Sequence, residues 1–480
     1  MKKYIVINEF DNVMVALEDF EASDIVNGVK ILIPIKQGHK IALRDIKKGE
    51  DIIKYGYPIG KATIDILKGQ WVHTHNVKTN LDDKVDFNYE PKLVRTTDVS
   101  PQRKVNVYLR SNGEVGIRNE IIVLPTVGCV TRQAKRIVDI FLSRHPHLEV
   151  DAIYSLAHPY GCSQMGDDHE NTKQTLQNIA KHPNYGGVLV LGLGCENNQI
   201  SEFKHSFGEY DPSRIKFLVS QEVEDEIEVG LKLLEEIYDV AKLDKRSLQD
   251  ISKIKIGLEC GGSDGLSGIT ANPLIGHISD YFIGNGATAV LTEIPEMFGA
   301  EKVLLDRCET KEIFDELLTV VNDFKDYYQS HNQVIYENPS PGNKAGGITT
   351  LEEKSLGCVQ KSGSSNVVGV LNYTDILSKR GLNIISAPGN DLVATTTLGM
   401  CGCQLVLFST GRGTPYGGFI PTIKISTNTA LFNQKRSWID FNSGDVNINN
   451  YQEKINQFIN YIIEVIEGKQ TQNEINDFRE

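Results

Sequence analysis

The sequence predicts an α/β protein in which a small N-terminal β module precedes a large, mostly parallel α/β body in two parts. Its 480 residues exceed what one hydrophobic core normally organises. Residues 1–80 read as short strands separated by glycine turns. From residue 105 onward, apolar strand-like runs alternate with runs of helical periodicity, which is the pattern of right-handed βαβ units.

Composition narrows the classes of function. The formal net charge of −13 argues against binding to nucleic acids and to anionic membrane surfaces. No apolar run approaches the roughly 18 residues that a membrane span requires, and the N-terminal residues do not form a secretion signal. The eight cysteines are too sparse for a disulfide scaffold, so we expect reduced thiols in a cytoplasmic protein.

The N-terminal module ends in the sequence GQWVHTHNV, residues 69–77. His73 and His75 alternate in a predicted strand, which would place both side chains on the same face. Such a pair is either functional or a solvent-facing polar pair on an edge strand, and the spacing alone does not separate the two. The charged, proline-containing stretch 81–104 is predicted to be a linker to the body.

Residues 105–250 are predicted to form the first part of the body, with helices near 131–143, 170–181 and 222–241. Three of its strand-like runs break near Cys129, Cys162 and Cys195. The carboxyl ends of parallel strands meet at one edge, so we expect these thiols to share a rim.

Further soft donor atoms are predicted at that rim. The loop HPYGCSQMGDDHEN, residues 158–171, adds His169, and a later run, IKIGLEC, ends at Cys260. A rim of thiols and imidazoles favours a transition metal over magnesium or calcium. One of the two loop aspartates has the simpler interpretation of a helix cap. The run LGLGCENN lacks the third glycine of a dinucleotide fingerprint, which makes a nicotinamide site improbable.

Residues 251–480 are predicted to form the second part of the body, with glycine-rich loops that suit an acidic substrate. Lys344 lies in NKAGG and Arg412 in STGRGTPYGG, while Arg118 and Asn119 end the earlier turn RSNGEVGIRN. Glycine lets the backbone approach a ligand closely, and a guanidinium matches a carboxylate. The stretch 338–363 is predicted to be irregular, between helices near 311–329 and 451–467.

Long motifs along essentially the whole chain resemble the altronate/galactarate dehydratase family of sugar-acid hydro-lyases. They include VHTHN (72–76), NGEVGIRNE (112–120), YGCSQMGDDH (160–169), LECGGSDGLSGITANP (258–273) and FSTGRGTPYGGFIPT (408–422). The resemblance implies that the N-terminal module is a β-clip, or SAF, domain. It also implies dependence on ferrous iron, or on manganese in its place. The implied reaction is loss of water from D-altronate to give 2-dehydro-3-deoxy-D-gluconate in cytoplasmic hexuronate breakdown, with galactarate or another 2-hydroxy acid as the alternative substrate.

The expected roles follow from the motifs and the resemblance together. His73 and His75 are the candidates for general base and general acid, or alternatively for metal ligands. The predicted metal ligands are Cys129, Cys162, Cys195, Cys260 and His169, and three of these thiolates would equally suit an iron–sulfur cluster. The predicted substrate contacts are Arg118, Asn119, Lys344 and Arg412. We expect a homo-oligomer, namely a dimer.

Overall fold

The computed structural model describes residues 3–81, 84–94 and 103–479. The N-terminal module consists of nine short strands: β1 (Tyr4–Ile5), β2 (Val13–Ala16), β3 (Ile25–Val26), β4 (Val29–Lys30), β5 (Lys40–Ala42), β6 (Asp51–Lys54), β7 (Tyr57–Ala62), β8 (Trp71–Val72) and β9 (Val77–Lys78). They form antiparallel sheets of order β1–β2–β5–β8 and β6–β7–β9, and a β3–β4 hairpin. The module has a small core of its own around Met14 and Ile41.

The first part of the body is built on a parallel sheet. Its strands are β10 (Lys104–Leu109), β11 (Val115–Gly116), β12 (Glu120–Pro125), β13 (Ala152–Ser155), β14 (Tyr185–Gly192), β15 (Ile215–Val219) and β16 (Arg246–Asp250). Its helices are α1 (Thr131–Arg144), α2 (Asp167–Ala180), α3 (Ile200–Phe207) and α4 (Glu226–Ala241). The parallel sheet has the order β13–β12–β14–β15, and β11–β10–β16 form an antiparallel ribbon.

The second part contains a seven-stranded parallel sheet of order β19–β20–β18–β17–β21–β22–β23. Its strands are β17 (Lys255–Cys260), β18 (Thr288–Leu291), β19 (Val367–Leu371), β20 (Gly381–Ile385), β21 (Leu405–Thr410), β22 (Thr422–Ser426) and β23 (Phe441–Asn442). Its helices are α5 (Ala271–Gly284), α6 (Glu301–Leu305), α7 (Lys311–Ser330), α8 (Pro341–Ala345), α9 (Leu351–Cys358), α10 (Asp391–Met400), α11 (Thr429–Gln434), α12 (Tyr451–Ile466) and α13 (Gln472–Ile475). The strand order reverses at β17, between β18 and β21, and this is where such sheets bind ligands.

The predicted fold class is confirmed, with a β module followed by a mostly parallel α/β body. Two local predictions are wrong. The stretch 338–363 is not irregular, because α8 and α9 lie within it. The predicted strand through His73 and His75 ends at Val72, and both histidines lie in the turn that follows. Among the described residues, no helix combines the length and apolar character that a bilayer crossing needs.

A buried ion cluster joins the module to the second part of the body. The Glu353 carboxylate of α9 lies 2.7 Å from the Lys40 ammonium and 2.8 Å from that of Lys54. All three side chains are at most 1% exposed. Burial alone would raise the pKa of Glu353, but the two ammonium groups lower it to about 2. The cluster therefore fixes how the module sits on the body.

Candidate active site

Two groups of acidic and thiol side chains lie around the carboxyl end of β17. The first group is Cys260, Glu296 and Cys358, and the second is Glu259, Glu293 and Asp391. Within each group, the potential ligand atoms all lie within 4.8 Å of one another. The turn after β18 supplies two of the glutamates, α9 supplies the second thiol, and α10 begins with the aspartate. The groups thus occupy the position that the strand order marks as a ligand site.

The first group satisfies its own hydrogen-bonding needs. The sulfur atoms of Cys260 and Cys358 lie 3.4 Å apart, and the Cys358 thiol donates to Oε2 of Glu296 at 3.2 Å. The Lys354 ammonium lies 2.6 Å from Oε1 of Glu296. Although burial favours the neutral acid, Lys354 and Lys361 lower the pKa of Glu296. The negative charge of the Glu296 carboxylate is therefore balanced by neighbouring ammonium groups.

The second group lacks such partners. Glu259 is 0% exposed, and neither of its carboxylate oxygens has a hydrogen-bond partner among the described residues. Oε1 of Glu293 also has none, while its Oε2 accepts from the Cys260 backbone N–H at 3.2 Å and lies 3.5 Å from the Lys361 ammonium. Burial raises the pKa of Glu259 and of Glu293 well above the ordinary value. It also raises the pKa of half-buried Asp391 to about 6.

Glycine-rich loops from both body and module meet beside these groups. The Gly262 carbonyl accepts from the backbone N–H of Arg412 at 2.9 Å, and the Gly346 carbonyl accepts from that of Gly265 at 2.7 Å. A Cβ atom at Gly265 would overlap the carbonyl oxygen of Gly38 in the module. Only glycine allows so close a contact of three backbones. The loops therefore form one surface.

Two cations beside these loops, Lys344 in α8 and Arg412 after β21, have no partner among the residues that the structure describes. Lys344 is half-buried and Arg412 is exposed, and neither side chain makes a hydrogen bond or ion pair with a described residue. Buried Asp264 accepts from the side chains of Thr427 and Asn428, and Asn428 in turn donates to the Gly411 carbonyl of the Arg412 loop at 3.0 Å. Unpaired cations on a fixed loop suit the carboxylate of a ligand.

His73 is oriented by three neighbours. Its ring stacks on Trp71, with centroids 5.0 Å apart and an interplanar angle of 18°. Its Nδ1 lies 3.1 Å from the hydroxyl of Thr349. Burial and the neighbouring Lys40 ammonium lower the pKa of His73 to about 3. The imidazole is therefore neutral near pH 7, while exposed His75 packs against Trp71 with centroids 4.9 Å apart.

His39 completes this cluster, and nothing in the local sequence pattern singled it out. The Trp71 indole N–H donates to Nδ1 of His39 at 3.1 Å, so that nitrogen carries no proton. The His39 and His73 rings lie edge to face, with centroids 5.2 Å apart. Burial lowers the pKa of His39, and a hydrogen bond to the backbone of Ala345 raises it by a smaller amount. His39 thus links Trp71, the residue that His73 stacks on, to α8, the helix that carries Lys344.

The three predicted rim cysteines lie on adjacent strands of the first sheet. Cys162 follows β13, Cys129 follows β12 and Cys195 follows β14, and all three are exposed. Backbone hydrogen bonds join their loops: the Gly128 N–H donates to the Tyr160 carbonyl at 2.9 Å, and the loops after β13 and β14 are joined likewise. The three thiols do not form a group whose sulfur atoms are mutually within 4.8 Å.

A cleft of about 710 Å³ separates this rim from the second sheet. His158 and Asp168 line it from the first part of the body, and Leu392 and Val393 of α10 line it from the second. The residue before Leu392 is Asp391 of the carboxylate group. The cleft therefore lies next to α10, the helix whose first residue belongs to the carboxylate group.

Comparisons with known proteins agree with this architecture. Three protein-family models match the chain, one after another. The model "Altronate/galactarate dehydratase SAF domain" matches residues 2–80, and "D-galactarate dehydratase/Altronate hydrolase, second domain" matches residues 107–242. The model "D-galactarate/Altronate dehydratase, C-terminal" matches residues 251–480. Across its full length the chain is 53% identical to altronate dehydratase of Escherichia coli (strain K12), of which it covers 98%. The chain belongs to the altronate/galactarate dehydratase family.

Other members of the family are also similar over nearly their full lengths. Altronate dehydratase of Bacillus subtilis (strain 168) is 50% identical over 100% of this chain and 98% of its own length. Galactarate dehydratase (L-threo-forming) of Escherichia coli (strain K12) is 32% identical over 97% of this chain and 93% of its own. Altronate dehydratases are thus markedly more similar to this family member than the galactarate enzyme is.

The structure separates the predicted metal ligands of this family member into different places. Cys260 is buried in the second sheet beside Cys358, whereas the other three cysteines are exposed on the first. His169 lies in the first turn of α2, and its buried Nε2 has no hydrogen-bond partner among the described residues. The run that ends at Cys260 has the same pattern of a strand followed by cysteine as the runs of the rim, and the sequence therefore predicts Cys260 at that rim. Its strand, β17, belongs to the second sheet instead.

Arg118 and Asn119 are structural residues, which corrects their predicted role as substrate contacts. The Arg118 guanidinium is 1% exposed, forms a two-pronged pair with the Glu474 carboxylate at 2.6 and 2.9 Å, and donates to three backbone carbonyls. The Asn119 amide donates to the Ala241 carbonyl and accepts from Arg110. Neither side chain retains a free group for a ligand, whereas Lys344 and Arg412 do.

Proposed function

We propose that this family member is a hydro-lyase that removes water from D-altronate and yields 2-dehydro-3-deoxy-D-gluconate. The observation that carries the proposal is the 53% identity over the full chain to an altronate dehydratase, against 32% to a galactarate dehydratase. The site supports it in chemical terms. Unpaired cations on Lys344 and Arg412 and the neutral imidazole of His73 suit a polyhydroxy carboxylate.

The reaction requires a base for the proton next to the carboxylate and an acid for the departing hydroxyl. His73 is the proposed base: in the tautomer whose Nδ1–H donates to the Thr349 hydroxyl, Nε2 has a free lone pair that can accept the proton. Exposed His75, on the same turn, is proposed to donate a proton to the hydroxyl. Lys344 and Arg412 are proposed to hold the carboxylate and thereby orient the adjacent carbon–hydrogen bond.

Ferrous iron, or manganese in its place, is the cofactor that the resemblance implies. Bound next to the substrate carboxylate, such an ion would offset the negative charge that develops as the proton leaves. The rim of Cys129, Cys162 and Cys195 does not fit a single ion, because its sulfur atoms are too far apart. Exposed thiols on adjacent strand ends fit an iron–sulfur cluster better. A cluster contains several irons that each bind a different thiolate, so the sulfur atoms of the cysteines need not lie close together.

Two measurements on anaerobically purified protein test these proposals. Turnover of D-altronate, galactarate and other aldonates in the presence of Fe²⁺ should give the highest kcat/KM with D-altronate. Preference for galactarate, or absence of a 2-keto-3-deoxy product with every aldonate, would refute the proposed function. Iron and acid-labile sulfide content decide whether the rim thiols hold a cluster, because a single ion brings no sulfide.

We further propose a cytoplasmic location and a homodimer. The sparse cysteines, which favour reduced thiols over a disulfide scaffold, support the first. Closed two-fold dimers are the commonest assembly of enzymes of this size, which supports the second. Light scattering coupled to size-exclusion chromatography tests the dimer directly, since the chain mass is 53.4 kDa.

A further inference from the structure

We propose that His39 is a positioning residue, which holds the Trp71 indole in place as the platform that orients the imidazole of His73. His39 binds the indole N–H, and the His73 ring stacks on the indole. The placement of the three rings does not depend on what the enzyme converts. Only its consequence for the rate rests on the proposed function.

Both ring nitrogens of His39 are engaged. The Trp71 indole N–H, a group that can only donate, donates to Nδ1 of His39 at 3.1 Å. Burial lowers the pKa of His39, which keeps the ring neutral near pH 7, so its one proton must lie on Nε2. That nitrogen is the donor left for the hydrogen bond to the backbone of Ala345. One tautomer is therefore selected, and the ring is pinned on two sides.

The Ala345 end of this link is rigid. Three further hydrogen bonds hold α8 and the turn after it, from the Asn343 amide to the Ser263 carbonyl at 2.8 Å, from the Gly265 N–H to the Gly346 carbonyl at 2.7 Å, and from the Lys40 ammonium to the Gly347 carbonyl at 2.8 Å. Loss of the His39 side chain would leave all three in place. It should therefore release the indole and not shift the helix that carries Lys344.

The Trp71 end of the link depends on His39. An indole has a single polar hydrogen, and in Trp71 this hydrogen is bound by His39. The Asn76 amide donates to the Trp71 backbone carbonyl at 2.9 Å, which fixes the turn but not the ring. The side chain is only partly buried, so packing alone constrains it less than a core residue. His39 thus sets the plane of the indole.

The plane of the indole matters because His73 has one other restraint. Its Nδ1 lies 3.1 Å from the Thr349 hydroxyl, and a bond to one atom leaves the broad torsion of an imidazole about its own axis. Stacking on Trp71, with centroids 5.0 Å apart and an angle of 18°, removes that freedom. The direction in which Nε2 of His73 points is therefore set through His39. Misdirection of a reacting group lowers the rate of the chemical step more than the binding of substrate.

His39→Leu should lower kcat for D-altronate about tenfold and change KM less than about twofold. His39→Gln retains an acceptor and a donor on one side chain and should recover part of the lost rate. His182→Leu is the matched control. This buried histidine also accepts a backbone N–H on Nδ1, at 3.2 Å, and lies 2.9 Å through Nε2 from a backbone carbonyl, but it belongs to the first part of the body. Its kcat should equal that of the wild type.

Nuclear magnetic resonance of the full-length protein reports the ring geometry without turnover. The chain has two tryptophans, and Trp438→Phe leaves the indole signal of Trp71 alone. In that background, His39→Leu should move the indole N–H signal upfield, because its hydrogen bond is lost. It should also move the Cε1–H signal of His73 toward the value of a free imidazole, because the ring no longer stacks on the indole. His182→Leu should move neither signal.

Trp71→Phe is the second variant if His39→Leu fails to fold, since it removes the indole N–H at a partly exposed position. It should lower kcat to a similar extent, and the double variant should lose no more, because both changes break the same link. Wild-type kcat in His39→Leu or in Trp71→Phe, or an unmoved His73 signal in either, would overturn the positioning role. Displaced His73 signals in a protein that never converts D-altronate would refute the proposed reaction and leave the role of His39 standing.

Discussion

Nδ1 of His73 and the hydroxyl of Thr349 lie 3.1 Å apart across the junction between the β module and the second part of the body. The backbone N–H of Thr349 donates in turn to Glu353, the carboxylate that binds two lysines of the module. The position of the proposed base is thus set by both sides of the junction. In this arrangement the module contributes directly to the proposed active site.

Thr349→Val should lower kcat about tenfold and leave KM nearly unchanged, because it removes one hydrogen bond to the proposed base and no contact to the substrate. Steady-state kinetics with D-altronate give the measurement. Thr349→Ser keeps the hydroxyl and should restore most of the rate. A Val variant with wild-type kcat would show that this contact does not orient His73.

His73→Gln should lower kcat/KM by a factor of about 10² to 10⁴, the usual contribution of a general base. The same assay applied to His75→Gln tests the proposed acid. His331→Gln, on an exposed histidine at the end of α7, is the control and should have wild-type kinetics. Near-normal rates for both His73 and His75 variants would remove the acid–base roles from this turn.

Arg118→Lys should destabilise the fold by about 2 kcal/mol and leave KM unchanged, since a lysine cannot reproduce the two-pronged bond to Glu474. Arg412→Lys should instead affect substrate binding and not stability. It should raise KM for D-altronate about tenfold or more, while the free energy of unfolding stays within about 0.5 kcal/mol. Urea denaturation and steady-state kinetics on both variants give the comparison. A raised KM in Arg118→Lys would return that residue to the substrate site.

Local periodicity predicts the long amphipathic helices α1, α2, α4, α7 and α12, but not the short or largely buried ones. Helix α7 was predicted near 311–329 and runs over Lys311–Ser330, because its apolar stripe is visible in sequence. Helix α9 has no such stripe, since all eight of its residues are buried. Its glutamates bond to the module across the junction, while Lys354 pairs with Glu296 inside the body, and no local pattern reveals these partners.

The candidate site was only partly predictable for the same reason. Lys344 and Arg412 stand out in sequence because each is a cation in a glycine-rich segment. The carboxylate group draws on Glu259, Glu293 and Asp391, which lie far apart in the chain and meet only through the strand order. A strand end followed by cysteine predicts a position at the edge of a sheet, but it does not tell which of two sheets the strand joins.

Glu353→Gln should destabilise the protein by about 3 kcal/mol near pH 7, because it leaves the Lys40 and Lys54 ammonium groups buried without a counter-charge. It should also raise amide exchange in β5, which carries Lys40 and packs against the body. Urea denaturation and hydrogen exchange measure the two effects. Glu301→Gln is the matched control: it breaks the equally buried pair with Lys325 inside the second part of the body and should leave β5 unaffected.

Acid should erase the difference between wild type and Glu353→Gln. The folded-state pKa of about 2 lies below the unfolded value of about 4.3, so the carboxylate's contribution is complete above the unfolded value. It is then lost as the pH falls toward 2, because the unfolded chain binds the proton first. The gap in unfolding free energy should therefore be constant from pH 7 to about 5 and shrink steadily from there to pH 3. A gap that is already absent at pH 7, or one that widens in acid, would mean that Glu353 does not hold the module in place.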